Sequence, residues 1–243
     1  MRLKSFLVPL YFLSILLLFF YSFAYVDLNL TLSQNQLILN FVNLAQNLGY
    51  YQRDLATKIF FLGLLFFYLI FTLFLYLAKR KEISVSLLKK LIIGTSLILL
   101  FSYPAFSTDI YNYMFDARIV TTYHSSPYDF RALDFPEDPW VRFMRWTHRT
   151  TPYGYVWVGV TLIPSLVGMG KFLLTLILFK YLAVFAYWIC AYFIYKILKI
   201  INPESAIFGT LFFTLNPLVI TEVLVSGHND IVMAALALAS FWF

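Results

Sequence analysis

The run STDIYNYMFDARI, Ser107 to Ile119, carries two carboxylates and a guanidinium directly after a long apolar stretch. Ionised groups beside lipid are costly and mark functional sites by default. Asp109 has the chemistry of a general base. Arg118 has the planar fork that grips carboxylate or phosphate. Further on, Gly227-His228-Asn229-Asp230 places three polar side chains between two apolar runs. Each stretch also has a plain structural reading. Thr108 or Asp109 suits the N-cap of a helix over Ile110 to Val120. On that helix Tyr111, Met114, Phe115 and Arg118 share one face, resting it on the membrane. The tetrad suits a helix C-cap followed by an N-cap. A cap and a catalytic base are compatible roles.

Composition limits what can carry these groups. The chain has 243 residues, 61% hydrophobic and 12% charged, and a mean hydropathy of +0.78. A soluble domain is about a quarter charged, so a soluble fold is excluded and an integral membrane protein is expected. Aromatics reach 21%, which suits bundle packing and interfacial belts. The lone Cys190 allows no internal disulfide. The spacing of His124, His148 and His228 gives no zinc signature, and nothing points to nucleic acid.

Apolar runs predict membrane helices at about Phe6–Tyr25, Ile59–Ala78, Leu87–Phe106, Phe172–Tyr195, Ala206–Val225 and Ile231 to the end, each near the ~20 residues that cross a bilayer except the last. The first is longer than a signal-peptide core, so a retained signal anchor is expected. Arg2, Lys4, Lys79, Arg80, Lys81, Lys89 and Lys90 place the N-terminus and second loop inside. The segment Ser107–Gly154 is then outside. Tyr155–Gly168 is short and broken by Pro164, and reads as interfacial or re-entrant. That places the tetrad outside with Asp109. A spanning Tyr155–Gly168 would instead put the tetrad in the cytoplasm.

Between the first two spans, Leu37, Phe41, Leu44 and Leu48 form one apolar helix face suited to the membrane surface. The long outer loop holds six of the twelve acids and five cations, all arginine. Asp134, Glu137 and Asp138 read as solvated charges there. Glu222 is expected near the cleft, and Lys180 is expected to snorkel outward.

These motifs carry a resemblance. STDIYNYMFDARI, then SSPY (Ser125–Tyr128), then TPYGYVW (Thr151–Trp157), resemble the first outer loop of GT-C glycosyltransferases, especially bacterial polyprenyl-phosphate-mannose-dependent mannosyltransferases. That family reads Asp-Ile-Tyr-x-Tyr-x-x-Asp-Gly-Arg, then Asn-Pro-Tyr, then a His before Thr-x-Tyr. Here Ala117 replaces the glycine and Ser126 the asparagine, while His148 stands near the expected histidine. LNPLVITEVLVSGHNDIVMA, Leu215 to Ala234, resembles the family's second signature. The resemblance covers about Leu87–Phe243.

It implies an all-α polytopic membrane protein: a GT-C-like transmembrane helix bundle with a large outer first loop containing juxtamembrane helices. An N-terminal hairpin over 1–86 would precede a catalytic module over 87–243, truncated at its C-terminus. It implies transfer of a mannose-like hexose from a polyprenyl-phosphate donor to a glycan, glycolipid or protein acceptor at the outer face of the cell membrane, with inversion. Asp109 would be the base. Tyr111, Asp116, Arg118, His148, Tyr153, His228, Asn229 and Asp230 would bind substrates. No cofactor is required, with a divalent cation as the one candidate. Two rivals are a secondary transporter, which would more often show paired halves and midplane helix breaks, and an inactive membrane scaffold.

Overall fold

A computed structural model describes residues 2–242. Phe243, the end of the last apolar run, lies outside the described residues, as does the Arg2 side chain used in the charge count. The described residues are helical, without strands. In order they form α1 (Arg2–Ser22), α2 (Gln36–Gln46), α3 (Arg53–Lys79), α4 (Val85–Leu99), α5 (Asp109–Thr121), α6 (Tyr155–Val167), α7 (Phe172–Ile201), α8 (Ala206–Thr214), α9 (Pro217–Val219) and α10 (Asp230–Trp242). A π-helical turn, Ile220–Val225, continues α9. Leu3–Tyr25, Arg53–Lys79 and Phe172–Ile201 are long and apolar enough to cross a membrane. This is a membrane protein.

Two apolar runs differ from expectation, and the short Tyr155–Val167 run agrees with it. The run at Leu87–Phe106 is helical only as far as Leu99. Tyr103 precedes Pro104, and a residue before proline is pushed out of the α region. The Ala206–Val225 run is broken, α8 and the α9 turn meeting at 46°. Pro217 has no N–H to continue the helix. Asn216 instead caps the next one, accepting from Leu218 N at 3.0 Å. That diverts Leu218 from the Thr214 carbonyl, and the Tyr187 hydroxyl takes the carbonyl at 2.7 Å. Tyr155–Val167 is helical, but thirteen residues reach only about 20 Å, short of a ~30 Å hydrocarbon core.

The bundle core joins α1, α3, α4, α7, α8 and α10 through Tyr11, Phe74, Leu91, Tyr187 and Leu211. Its polar groups pair internally, as hydrocarbon requires: the Tyr11 and Thr95 hydroxyls at 2.7 Å and Trp188 Nε1 to Ser96 Oγ at 2.9 Å. A second core lies beneath the long loop, around Ile110, Tyr111, Met114, Phe115, Trp140 and Phe179. So α5 does not rest on the membrane by one face. Most of its surface is buried in protein, with Asp109, Asp116 and Arg118 only partly covered. Helix α2 does present Leu37 and Leu44 outward.

Candidate functional site

Position and chemistry at the start of α5 are separate. Neither Thr108 nor Asp109 caps the helix with its side chain. Instead Ser107 Oγ accepts from Asp109 N at 3.2 Å. The Asp109 carboxylate is therefore free of the first turn, and its Oδ1 accepts from Trp146 Nε1 at 3.2 Å. The helix N-terminus favours its negative charge. Trp146 is held in turn: its carbonyl accepts from Asn112 Nδ2 at 3.3 Å, and Arg149 lies over its ring at 5.6 Å. Sequence reasoning did not single out Trp146, since one indole in a loop has no periodicity to betray it.

One turn on, Tyr113 joins the two motifs. Its hydroxyl donates to Asn229 Oδ1 at 3.3 Å, and its ring meets Tyr153 and Trp157 edge-on at 5.2 and 5.1 Å. Burial first, then Tyr153 and Asp109, holds this hydroxyl neutral, far above the usual phenol range. A Cβ added at Gly227 would stand 2.9 Å from Ile110 Cδ1, and its backbone has φ +76°, which glycine tolerates. Thus Asp109, Tyr113, Tyr153, His228 and Asn229 gather at one end of the bundle. His228 Nδ1 contacts Glu222 Oε2 at 3.1 Å, while Asp230 is exposed at the start of α10. Lys81 pairs with Glu204 at 3.1 Å on different elements, the α3–α4 turn and the α7–α8 turn.

Other expected site residues go elsewhere. Tyr111 packs in the second core, stacked on Phe172 at 5.8 Å. His148 is exposed near Trp146. Asp116 bonds Thr151 near Arg149, and burial pushes its carboxyl up to about 6 against both partners. It ties α5 to the segment that carries Tyr153. Arg118 is engaged: its Nε lies 2.5 Å from Asp138 Oδ2, and its guanidinium stacks over Trp140 at 4.3 Å. Asp138 is buried rather than solvated. Burial alone would raise its carboxyl, but Tyr123, the Trp140 N–H and Arg118 hold it below the ordinary range. Lys180 does not snorkel. It is buried, and Nζ donates to Ser102 Oγ at 2.9 Å, Val225 O at 2.8 Å and Leu224 O.

Among the described residues no three His, Cys, Asp or Glu side chains converge as metal ligands. Four buried side-chain atoms lack a well-formed hydrogen bond: Tyr111 Oη, Asn112 Oδ1, Ser226 Oγ and His228 Nε2. All four belong to the two motif segments, two on α5 and two around Gly227.

No curated protein and no solved structure matches the chain. A family model does, over residues 13–243: the MptA_B family, described as alpha-(1->6)-mannopyranosyltransferase, N-terminal domain. The match spans nearly the whole chain, including both motifs, and the chain therefore belongs to this mannosyltransferase family.

Proposed function

We propose that the protein transfers mannose from a polyprenyl-phosphate donor to a glycan, glycolipid or protein acceptor, at the outer face of the cell membrane, by a GT-C-type inverting mechanism. The observation that carries this is the state of Asp109. Its carboxylate is spared from capping and faces Trp146 beside the Tyr113–Asn229 junction. The acceptor hydroxyl gives its proton to Asp109. Its oxygen bonds to the anomeric carbon, and the carbon–oxygen bond to phosphate breaks on the opposite face. That electron pair leaves with the lipid phosphate. An α-linked product formed with inversion requires a β-linked donor. Because Asp138 occupies Arg118, the reading assigns the leaving phosphate to Arg149, held by Trp146 near the same carboxylate. The excess of lysine and arginine in the opposite loops supports the outer-face assignment. The apolar groove between α1 and α3, about 420 Å³ and reaching Thr221, suits a lipid-borne substrate.

The test is transfer of radiolabelled mannose from a polyprenyl-phosphate donor by the full chain in liposomes. Asp109→Asn should lower turnover about a hundred- to ten-thousand-fold while protein level and thermal stability hold, because the side chain caps nothing. Near-normal turnover would overturn the mechanism. A matching collapse in stability would favour a structural role.

A further inference from the structure

We infer that Glu222 is a positioning residue for His228, holding the imidazole by Nδ1 so that the buried Nε2 offers its lone pair to a hydroxyl of the mannosyl substrate. This rests on the mannosyl-transfer reading above. A carboxylate only accepts hydrogen bonds, so the 3.1 Å contact between Glu222 Oε2 and His228 Nδ1 places a proton on Nδ1. In neutral imidazole the other nitrogen is then an acceptor, and Nε2 is buried without a partner.

The backbone is shaped to make this pair. Glu222 stands in the π-helical turn, a form that recurs at functional sites. Lys180 clamps the end of that turn through the Leu224 and Val225 carbonyls. The chain reverses at Gly227, and the His228 N–H donates back to the Glu222 carbonyl at 3.1 Å. The imidazole and the carboxylate are thus held together by main chain as well as side chain.

The ligand class follows from the unpartnered atom: His228 Nε2 requires a donor. Phosphate dianion offers no donor, whereas a sugar offers several hydroxyls. The charged and titratable neighbours on the facing segments are Asp109, Tyr113, Tyr153 and Asp230. On α7 there is Lys180, already engaged. The cations of α3 and α4, Arg53, Lys58, Lys79, Lys89 and Lys90, are exposed. Among the described contacts, the Nδ1 partner is Glu222.

The experiment joins ¹⁵N spectra of the histidine side chains, without substrate, to transfer kinetics of the full chain in nanodiscs. His228→Gln assigns the signal. Wild type and Glu222→Gln should show a single tautomer protonated at Nδ1, since glutamine still accepts there, and Glu222→Leu a mixture. In kinetics, Glu222→Leu and His228→Ala should raise KM for the mannosyl substrate about three- to tenfold, the size of one lost hydrogen bond, with kcat changed less. Glu222→Gln should stay near wild type. If Glu222→Leu does not insert, Glu222→Ala replaces it. A wild-type signal protonated at Nε2 overturns the inference, as does Glu222→Gln being as impaired as Glu222→Leu. Absence of mannose transfer by wild type would count against the proposed function alone. Mannose binding to wild type and His228→Ala would then decide, equal affinity overturning the hydroxyl role.

Discussion

Two aspartates seven residues apart on one helix end in different chemistry because of what covers them. Asp109 is partly open and bonded by an indole N–H; Asp116 is pressed against Thr151 and titrates near 6. The motif made both visible in the sequence, but their environments come from a loop more than thirty residues away, which no local pattern encodes. The consequence for Asp116 has a definite sign. Its folded-state value lies above the ordinary 3.8, so its contribution to stability is fully present below about 4 and is lost as pH rises through about 6. Asp116→Asn removes that loss. Thermal unfolding in detergent should show the variant more stable than wild type at pH 7.5, by of the order of 2 kcal/mol, with the two converging at pH 4. A variant less stable at pH 7.5 would show that the contacts to Thr151 and Arg149 outweigh burial. Asp138 has the opposite sign: its carboxyl is held low, so its contribution is present above the ordinary carboxylate value and is lost as pH falls beneath it. Asp138→Asn should cost about 3–5 kcal/mol at neutral pH by leaving Arg118 unpaired, read from the same melts. A change under 1 kcal/mol would mean that stacking on Trp140 alone holds the guanidinium.

The helices show how far local rules reach. The first two spans, the short Tyr155–Val167 helix and the α5 limits were legible because apolar run length, proline and charge are local signals. Two features were not. The burial of α5 and the inward Lys180 depend on partners distant in sequence, whereas the α4 end follows from Pro104, a local signal hidden inside the apolar run. Lys180 is the clearest case. A lysine in an apolar run reads as a snorkelling side chain, yet the breaks that end the α9 turn leave carbonyls that need a donor, and a lysine on α7 supplies it. Lys180→Met fills similar space without that donor. It should destabilise the protein by at least about 2 kcal/mol, since two buried carbonyls lose their partner. It should also lower transfer by displacing Gly227 and His228. Thermal stability and turnover of the same preparation check this. A stable Lys180→Met with normal turnover would show that the turn holds itself.

At the scale of the whole molecule, the two cores divide the work. The bundle core packs the helices long enough to cross a membrane, and the loop core seats α5 so that its partly covered N-terminal end meets the tetrad. The hydrogen bond from Tyr113 to Asn229, 116 residues apart, requires both motifs to face one compartment. Cysteine labelling tests this, but Gly227 is a poor position because a side chain there meets Ile110 at 2.9 Å. Asp134 and Asp230 are exposed on either segment, and Lys199 is exposed near the far end of α7. In a Cys190→Ala background, Asp134→Cys and Asp230→Cys should both react with an impermeant thiol reagent on intact cells. Lys199→Cys should react only after permeabilisation. Labelling of one motif without the other would contradict the Tyr113–Asn229 contact and with it the fold. Protection of both, with Lys199→Cys labelled, would keep the fold and reverse its orientation, moving the proposed transfer site to the cytoplasmic face.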